Sequence, residues 1–132
     1  AYDEALARVD AVAATSLGRF VTPSGNIYCV IEADAPARGC EIAAGGSRDV
    51  TACGGDAPTP VVGRVELQDA GAVAVCNTDT IRQPDPPVLA YGRAARVGGG
   101  DVRCLSEPSG VTCVSDTAGF VLRRGAYALL NP

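Results

Sequence analysis

From Phe20 onward the chain is a succession of short β-favouring runs broken by Gly, Pro, Asp and Asn, the pattern of an antiparallel sheet protein. The runs predict strands over Gly18 to Thr22, Asn26 to Glu32, Gly39 to Ile42, Val61 to Gln68, Ala72 to Asn77, Val88 to Tyr91, Ala94 to Val97, Val102 to Ser106, Val111 to Ser115, Phe120 to Arg123 and Tyr127 to Leu130. Ahead of them, Asp3 to Ala14 carries Leu6, Val9 and Ala13 at helical spacing, with Asp3 and Glu4 in the first turn and Gly18 just past the end. That spacing predicts one helix. Its apolar stripe is narrow and Ala-rich, so it is expected either to pack lightly on the domain or to act as a stalk toward whatever precedes Ala1. The chain thus divides into a helix or stalk at 1–18 and a β domain at 19–132. The fold class is mainly β, a small antiparallel sandwich or barrel-like domain with one N-terminal helix.

Two stretches interrupt the pattern. Gln83 to Pro87 holds three prolines in five residues and is expected to be an exposed loop. Ala43 to Pro60 is irregular and rich in Gly. One fragment nearly repeats: Pro23-Ser24-Gly25-Asn26-Ile27-Tyr28-Cys29-Val30 is echoed, one residue shorter, by Pro108-Ser109-Gly110-Val111-Thr112-Cys113-Val114. In both, Pro fixes φ at the first turn corner, Gly supplies a permissive one, and the strand that follows carries a cysteine. Two similar hairpins are implied.

Six cysteines, Cys29, Cys40, Cys53, Cys76, Cys104 and Cys113, stand in a chain of 132 residues with no Lys, His, Met or Trp. An even count without histidine reads as a disulfide framework from an oxidising compartment, and the expected location is secreted or extracytoplasmic, at the cell surface. Spacing alone leaves fifteen pairings open. Hairpin geometry narrows them, because neighbouring antiparallel strands bring side chains near the roughly 5.5 Å Cα separation that a bridge requires. Cys104 then faces Cys113 across the Glu107 to Gly110 turn, and Cys29 pairs with Cys40. Cys53 and Cys76 remain for each other. A cysteine metal site is disfavoured, since no C-x-x-C pair is present.

Net charge is −4, which argues against a nucleic-acid partner. No run of eighteen apolar residues is present to span a membrane, while a signal peptide or lipid anchor in a precursor would lie ahead of Ala1. Twelve acids face six Arg before position 90, and three face five from there on. The absence of His and Lys removes Ser-His-Asp, Cys-His and Ser-Lys arrangements and Schiff-base chemistry, leaving carboxylates, hydroxyls and Arg. Gly98-Gly99-Gly100 precedes Asp101 rather than a Lys-Ser pair and reads as a hairpin tip. Asn77-Thr78-Asp79-Thr80 offers oxygens to calcium but lacks the spacing of a calcium loop, so its side chains are expected to bond their own turn. No cofactor is expected. Tyr91, Arg93, Arg96 and Arg103 on one predicted hairpin, with Arg123, Arg124 and Tyr127 on the last, form a candidate interaction face if the two hairpins are neighbours.

The segments Phe20-Val-Thr-Pro-Ser-Gly-Asn-Ile-Tyr-Cys29, Gly39-Cys-Glu-Ile42, Cys76-Asn-Thr-Asp-Thr80, Leu89-Ala-Tyr-Gly92, Gly110-Val-Thr-Cys113 and Gly119-Phe-Val-Leu122 with Tyr127 together resemble a family of uncharacterised actinobacterial exported proteins with an F-x-[ST]-P-S-G-N-I-x-C opening. The resemblance runs over roughly positions 20 to 130. It implies an exported or lipoprotein-type location and the same cysteine pattern, and it lends no activity. Members often carry a His before the Gly-Phe pair, where Thr117-Ala118 stands here. The function expected is a non-catalytic binding module of the bacterial cell envelope, its partner a protein or an envelope component. The alternatives are a secreted inhibitor of a protease or lysozyme presenting Glu107 to Gly110, and a hydrolase working through carboxylates such as Asp34, Asp79 and Asp101.

Overall fold

A computed structural model of the chain describes residues 1–55, 58–76 and 79–132. Among the described residues one helix, α1 (Tyr2–Asp10), precedes twelve strands: β1 (Ala14–Thr15), β2 (Arg19–Val21), β3 (Ile27–Val30), β4 (Gly39–Ile42), β5 (Ser47–Arg48), β6 (Val61–Gln68), β7 (Gly71–Cys76), β8 (Ala94–Arg96), β9 (Arg103–Glu107), β10 (Gly110–Val114), β11 (Gly119–Arg123) and β12 (Ala126–Leu130). They form two sheets. Sheet A runs β1-β8-β9-β10-β11-β12, and sheet B runs β2-β3-β4-β6-β5 with β7 on the other side of β6. All pairings between named strands are antiparallel except β1 with β8, where Ala14 lies opposite Ala94.

The side-chain period of two sorts each strand between core and exterior. Phe20, Ile27, Cys29, Cys40, Ile42, Val65 and Leu67 of sheet B meet Ala95, Cys104, Val111, Cys113, Phe120 and Leu122 of sheet A in one buried cluster. Leu105 and Val114, on the opposite side of sheet A, receive Ala5 and Val9 of α1. The segment set apart at 1–18 is therefore packed on sheet A, and Ala14–Thr15 extends that sheet as its edge. The helix stops at Asp10, short of the expected Ala14, because Ala14 and Thr15 give their backbone to β8 instead.

The outer face of sheet B is roofed by the chain after β7. Ile81 donates its backbone N–H to Glu41 Oε1 at 2.9 Å, Thr80 Oγ1 donates to Glu41 Oε2, and Arg82 Nη2 donates to the Asn26 carbonyl at 2.9 Å. Under this strap Tyr28 is fully buried, with the Arg82 guanidinium 5.7 Å from its ring centre. Gln83 to Pro87 is largely exposed, as its prolines predict. Val88 to Tyr91 does not form the expected strand. Val88 makes a single parallel bridge to Val21, and the chain turns at Ala90 to Arg93.

Cys29 pairs with Cys40, Cys53 with Cys76, and Cys104 with Cys113. The first and last join residues directly opposite in register. These two bridges meet across the core, where Cys40 Sγ lies 3.5 Å from Cys113 Sγ. With both sulfurs already bonded and no S–H available, this is a packing contact. No described helix is long and apolar enough to cross a membrane.

Candidate functional site

The two Pro-Ser-Gly corners, far apart in the chain, meet at one end of the sandwich. The first joins β2 to β3: Gly25 N–H donates to the Thr22 carbonyl at 2.8 Å, closing a turn with Pro23 and Ser24 at its centre. The second joins β9 to β10, with Glu107 opposite Gly110 in register and Pro108 and Ser109 between them. Pro in the first central position and Gly in the fourth are what such a turn favours. Gly110 is needed twice over. Its φ is +149°, and a Cβ there would collide with the Leu122 carbonyl oxygen as β10 passes β11.

Between the corners lies a cleft of about 220 Å³, walled by Thr22, Ser24, Asn26, Ile27, Tyr91, Glu107, Pro108, Ser109, Gly110 and Arg124. Tyr91 reaches it from the Ala90 to Arg93 turn, which is fixed to β9 by Gly92 N–H to the Ser106 carbonyl at 2.7 Å and Ser106 N–H to the Arg93 carbonyl at 3.0 Å. Arg124 reaches it from the β11–β12 turn. That turn relies on Gly125 at φ +77°, whose N–H donates to the Gly45 carbonyl at 2.6 Å. Main-chain hydrogen bonds thus fix each wall, giving a preformed recess rather than a loose loop cluster.

Most polar groups in the walls serve the fold. Asn26 bonds both polar groups of Ala44, at 2.8 and 3.0 Å. Thr22 Oγ1 accepts from Ile27 N–H at 3.3 Å, and Ser24 Oγ accepts from Asn26 N–H at 3.2 Å. Glu107 Oε1 accepts from Arg8 Nη1 at 2.6 Å. Among the described residues, the Tyr91 hydroxyl, the Ser109 hydroxyl and the Arg124 guanidinium make no hydrogen bond to the protein.

The predicted Arg/Tyr face is divided. β10 stands between the β8–β9 and β11–β12 hairpins in sheet A, so the two are not direct neighbours. Tyr91 and Arg124 meet at the cleft, while Arg93 and Arg123 are exposed outside its walls. Arg96 and Arg103 lie beside the end of α1, with Arg96 Nε donating to the Gly100 carbonyl at 2.6 Å. Arg103 is buried. Its Nε and Nη2 donate to the two Asp10 oxygens at 2.9 and 3.0 Å, and its Nη1 to Asp116 at 3.0 Å. The hydrogen bonds from Arg103 hold the Asp10 carboxyl below its ordinary value. Tyr127 turns inward against the core, its hydroxyl donating to Asp49 Oδ2 at 2.5 Å. That bond, together with burial, pushes the Tyr127 phenol up to about 12.

Among the described residues one group could be read as a metal site: the Cys29, Cys40 and Cys113 sulfurs lie within 4.8 Å of one another, all buried. Each is committed to a bridge and has no thiolate to offer. Gly98 to Gly100 forms the turn between β8 and β9, closed by Gly100 N–H to the Val97 carbonyl at 2.6 Å. Asn77 and Thr78 lie outside the described residues, and Thr80 is held by Glu41. Asp34 borders a wider groove of about 540 Å³ on sheet B with Arg19 and Arg82, but both arginines are engaged, with Pro84 and with the Glu41 strap. Asp101 pairs with Arg38 at 3.5 Å, and the Asp79 carbonyl accepts from Arg64.

The near-repeat was the sequence signal for the cleft, although nothing in it revealed that the two corners face each other. No known family, curated protein or solved structure matches this chain.

Proposed function

We propose that this chain is a non-catalytic, extracytoplasmic binding module of the bacterial cell envelope, and that it receives its ligand in the cleft between the Pro-Ser-Gly corners. The observation that carries this reading is the convergence of two similar corners from opposite sheets on one recess, with Tyr91 and Arg124 brought in from two further turns. Three bridges suit an oxidising compartment, as does the resemblance to exported proteins. Bridges within each sheet hold each corner, and the bond from Gly125 N–H to the Gly45 carbonyl ties the two sides together, which lowers the ordering cost of binding. The Glu107 to Gly110 turn lines the recess with only two residues between paired strands, too short to enter an enzyme's active site as an inhibitory loop.

Chemical-shift mapping tests this directly. Labelled protein titrated with solubilised envelope fractions is expected to shift the non-proline amides within 22–27, 91–92, 107–110 and 124–125. Perturbation centred elsewhere, or none with any fraction, would refute the assigned site. Micromolar inhibition of a serine protease or lysozyme would favour the inhibitor reading instead.

A further inference from the structure

Resting on the reading of the cleft as the binding site, we propose that it recognises a carboxylate with a neighbouring amide N–H, the chemistry of an acylated amino acid at a peptide C-terminus. The argument is an inventory of what the walls leave over. Thr22, Ser24 and Asn26 spend their polar groups within the first corner and on Ala44. The side-chain groups unspent among the described residues are the Arg124 guanidinium, the hydroxyls of Tyr91 and Ser109, and Glu107 Oε2. A guanidinium has five donors and no acceptor, so the group it takes from a ligand is an acceptor, and a planar fork fits a carboxylate through two parallel bonds.

Charge then selects among anions. The recess holds one arginine, Arg124, and one carboxylate, Glu107, the latter engaged through Oε1 by Arg8. A dianionic phosphate would meet one unengaged cation and a carboxylate, whereas a monoanionic carboxylate balances Arg124 alone. Glu107 Oε2 makes no ion pair or hydrogen bond among the described residues and can accept an N–H. An acylated amino acid presents these two groups side by side, a carboxylate toward Arg124 and an amide N–H toward Glu107. Ile27, Pro108 and the half-exposed Tyr91 ring supply apolar surface for a terminal side chain. A recess of about 220 Å³ has room for a terminal residue, so longer partners would be gripped by their end.

The probes are N-acetylalanine, N-acetylalaninamide and glucuronate, each titrated to millimolar concentration into the full chain and into Arg124→Gln, followed by chemical shifts. The acid is expected to shift the Ser109, Gly110 and Gly125 amides, with the amide form at least about tenfold weaker and Arg124→Gln losing about as much, as a charge-assisted hydrogen bond predicts. Arg124 is exposed and makes no hydrogen bond among the described residues, and an unchanged thermal midpoint verifies that Arg124→Gln folds normally. Equal binding of acid and amide, an undiminished affinity in Arg124→Gln, or binding of glucuronate in preference to N-acetylalanine overturns the proposal. If envelope fractions shift the cleft while N-acetylalanine does not, the ligand class fails and the site stands. If nothing shifts the cleft, the site itself fails.

Discussion

Replacing Arg103 by Ala should loosen the N-terminal helix from the sandwich. The Arg103 side chain is only 9 % exposed, whereas Asp10 and Asp116 are 47 % and 72 % exposed, so water screens the contact to Asp116 most. The two-pronged bond to Asp10 is the larger contribution, and the Asp101 carbonyl, which accepts from Nη1 at 2.6 Å, loses its donor as well. Hydrogen bonds to a charged group contribute about 1.5–3 kcal/mol, and with the exposed partner discounted the loss should be about 2–3 kcal/mol. At this chain length each kcal/mol moves the thermal midpoint by about 4 °C, giving a fall of roughly 8–12 °C. Arg103→Lys keeps the charge without the fork and should lose about half as much. If the effect acts through the helix, backbone amides from Ala5 to Ala11 should exchange on the order of 30- to 100-fold faster, beyond any change in β10 and β11. The acid side offers an independent check. Asp10's carboxyl is held below its ordinary 3.8 by Arg103, so the stability it adds is present above that value and lost as pH falls through the lowered one. The Ala variant should lack that part of the acid transition. An unchanged midpoint, with helix exchange moving no more than that of the core strands, would show that Ala5 and Val9 hold the helix unaided.

Three further outcomes are expected. Cys53→Ala with Cys76→Ala should cost about 3 kcal/mol by chain entropy. The shorter Cys104–Cys113 loop gives a slightly smaller entropic value, but that double variant also deletes two buried sulfurs, one of them packed on the neighbouring bridge, and thermal denaturation should find it the costlier. Were the order reversed, loop length rather than packing would govern. Tyr28→Phe should leave stability within about 0.5 kcal/mol of the parent, because the buried hydroxyl has no partner among the described residues; a loss above about 1 kcal/mol by denaturant titration would mean that a bound water satisfies it. Tyr127 contributes stability present in full below pH 10 and lost as pH rises toward about 12, since its bond to Asp49 needs the proton; Tyr127→Phe should remove that alkaline step from the stability curve, and a step that persists would assign it elsewhere.

The strands and bridges were legible because their signals are local. Gly39–Ile42 and Val61–Gln68 match the expected runs, and Cys104 faces Cys113 because one turn sets their register. What escaped depends on contacts remote in sequence. Ser47–Arg48 and Ala14–Thr15 become strands only because β6 and β8 offer free edges, a fact with no trace in their own side chains. Arg103 reads as a surface residue until Asp10 and Asp116 close over it, and Tyr127 reads the same way until Asp49 meets its hydroxyl. The cleft lay between: both corners are written plainly in the sequence, and only the packing of sheet on sheet turns them into two walls of one recess.

The parallel pair β1–β8 has a mechanical meaning. Parallel neighbours require a long connection, ordinarily a helix, and here that connection is the whole of sheet B. Helix α1 and β12 both belong with sheet A, so sheet B is a detour whose entrance and exit lie side by side at Ala14 and Ala94. A pull on α1 and β12 is therefore expected to load sheet A, the β1–β8 pair included, before it loads sheet B. Each bridge likewise stays within one sheet or fastens a loop to it, so the two layers are joined by no disulfide and are held together by their shared core and by bonds such as Gly125 N–H to the Gly45 carbonyl. The cleft lies along the seam between them, where a main-chain bond rather than a disulfide already fastens one layer to the other.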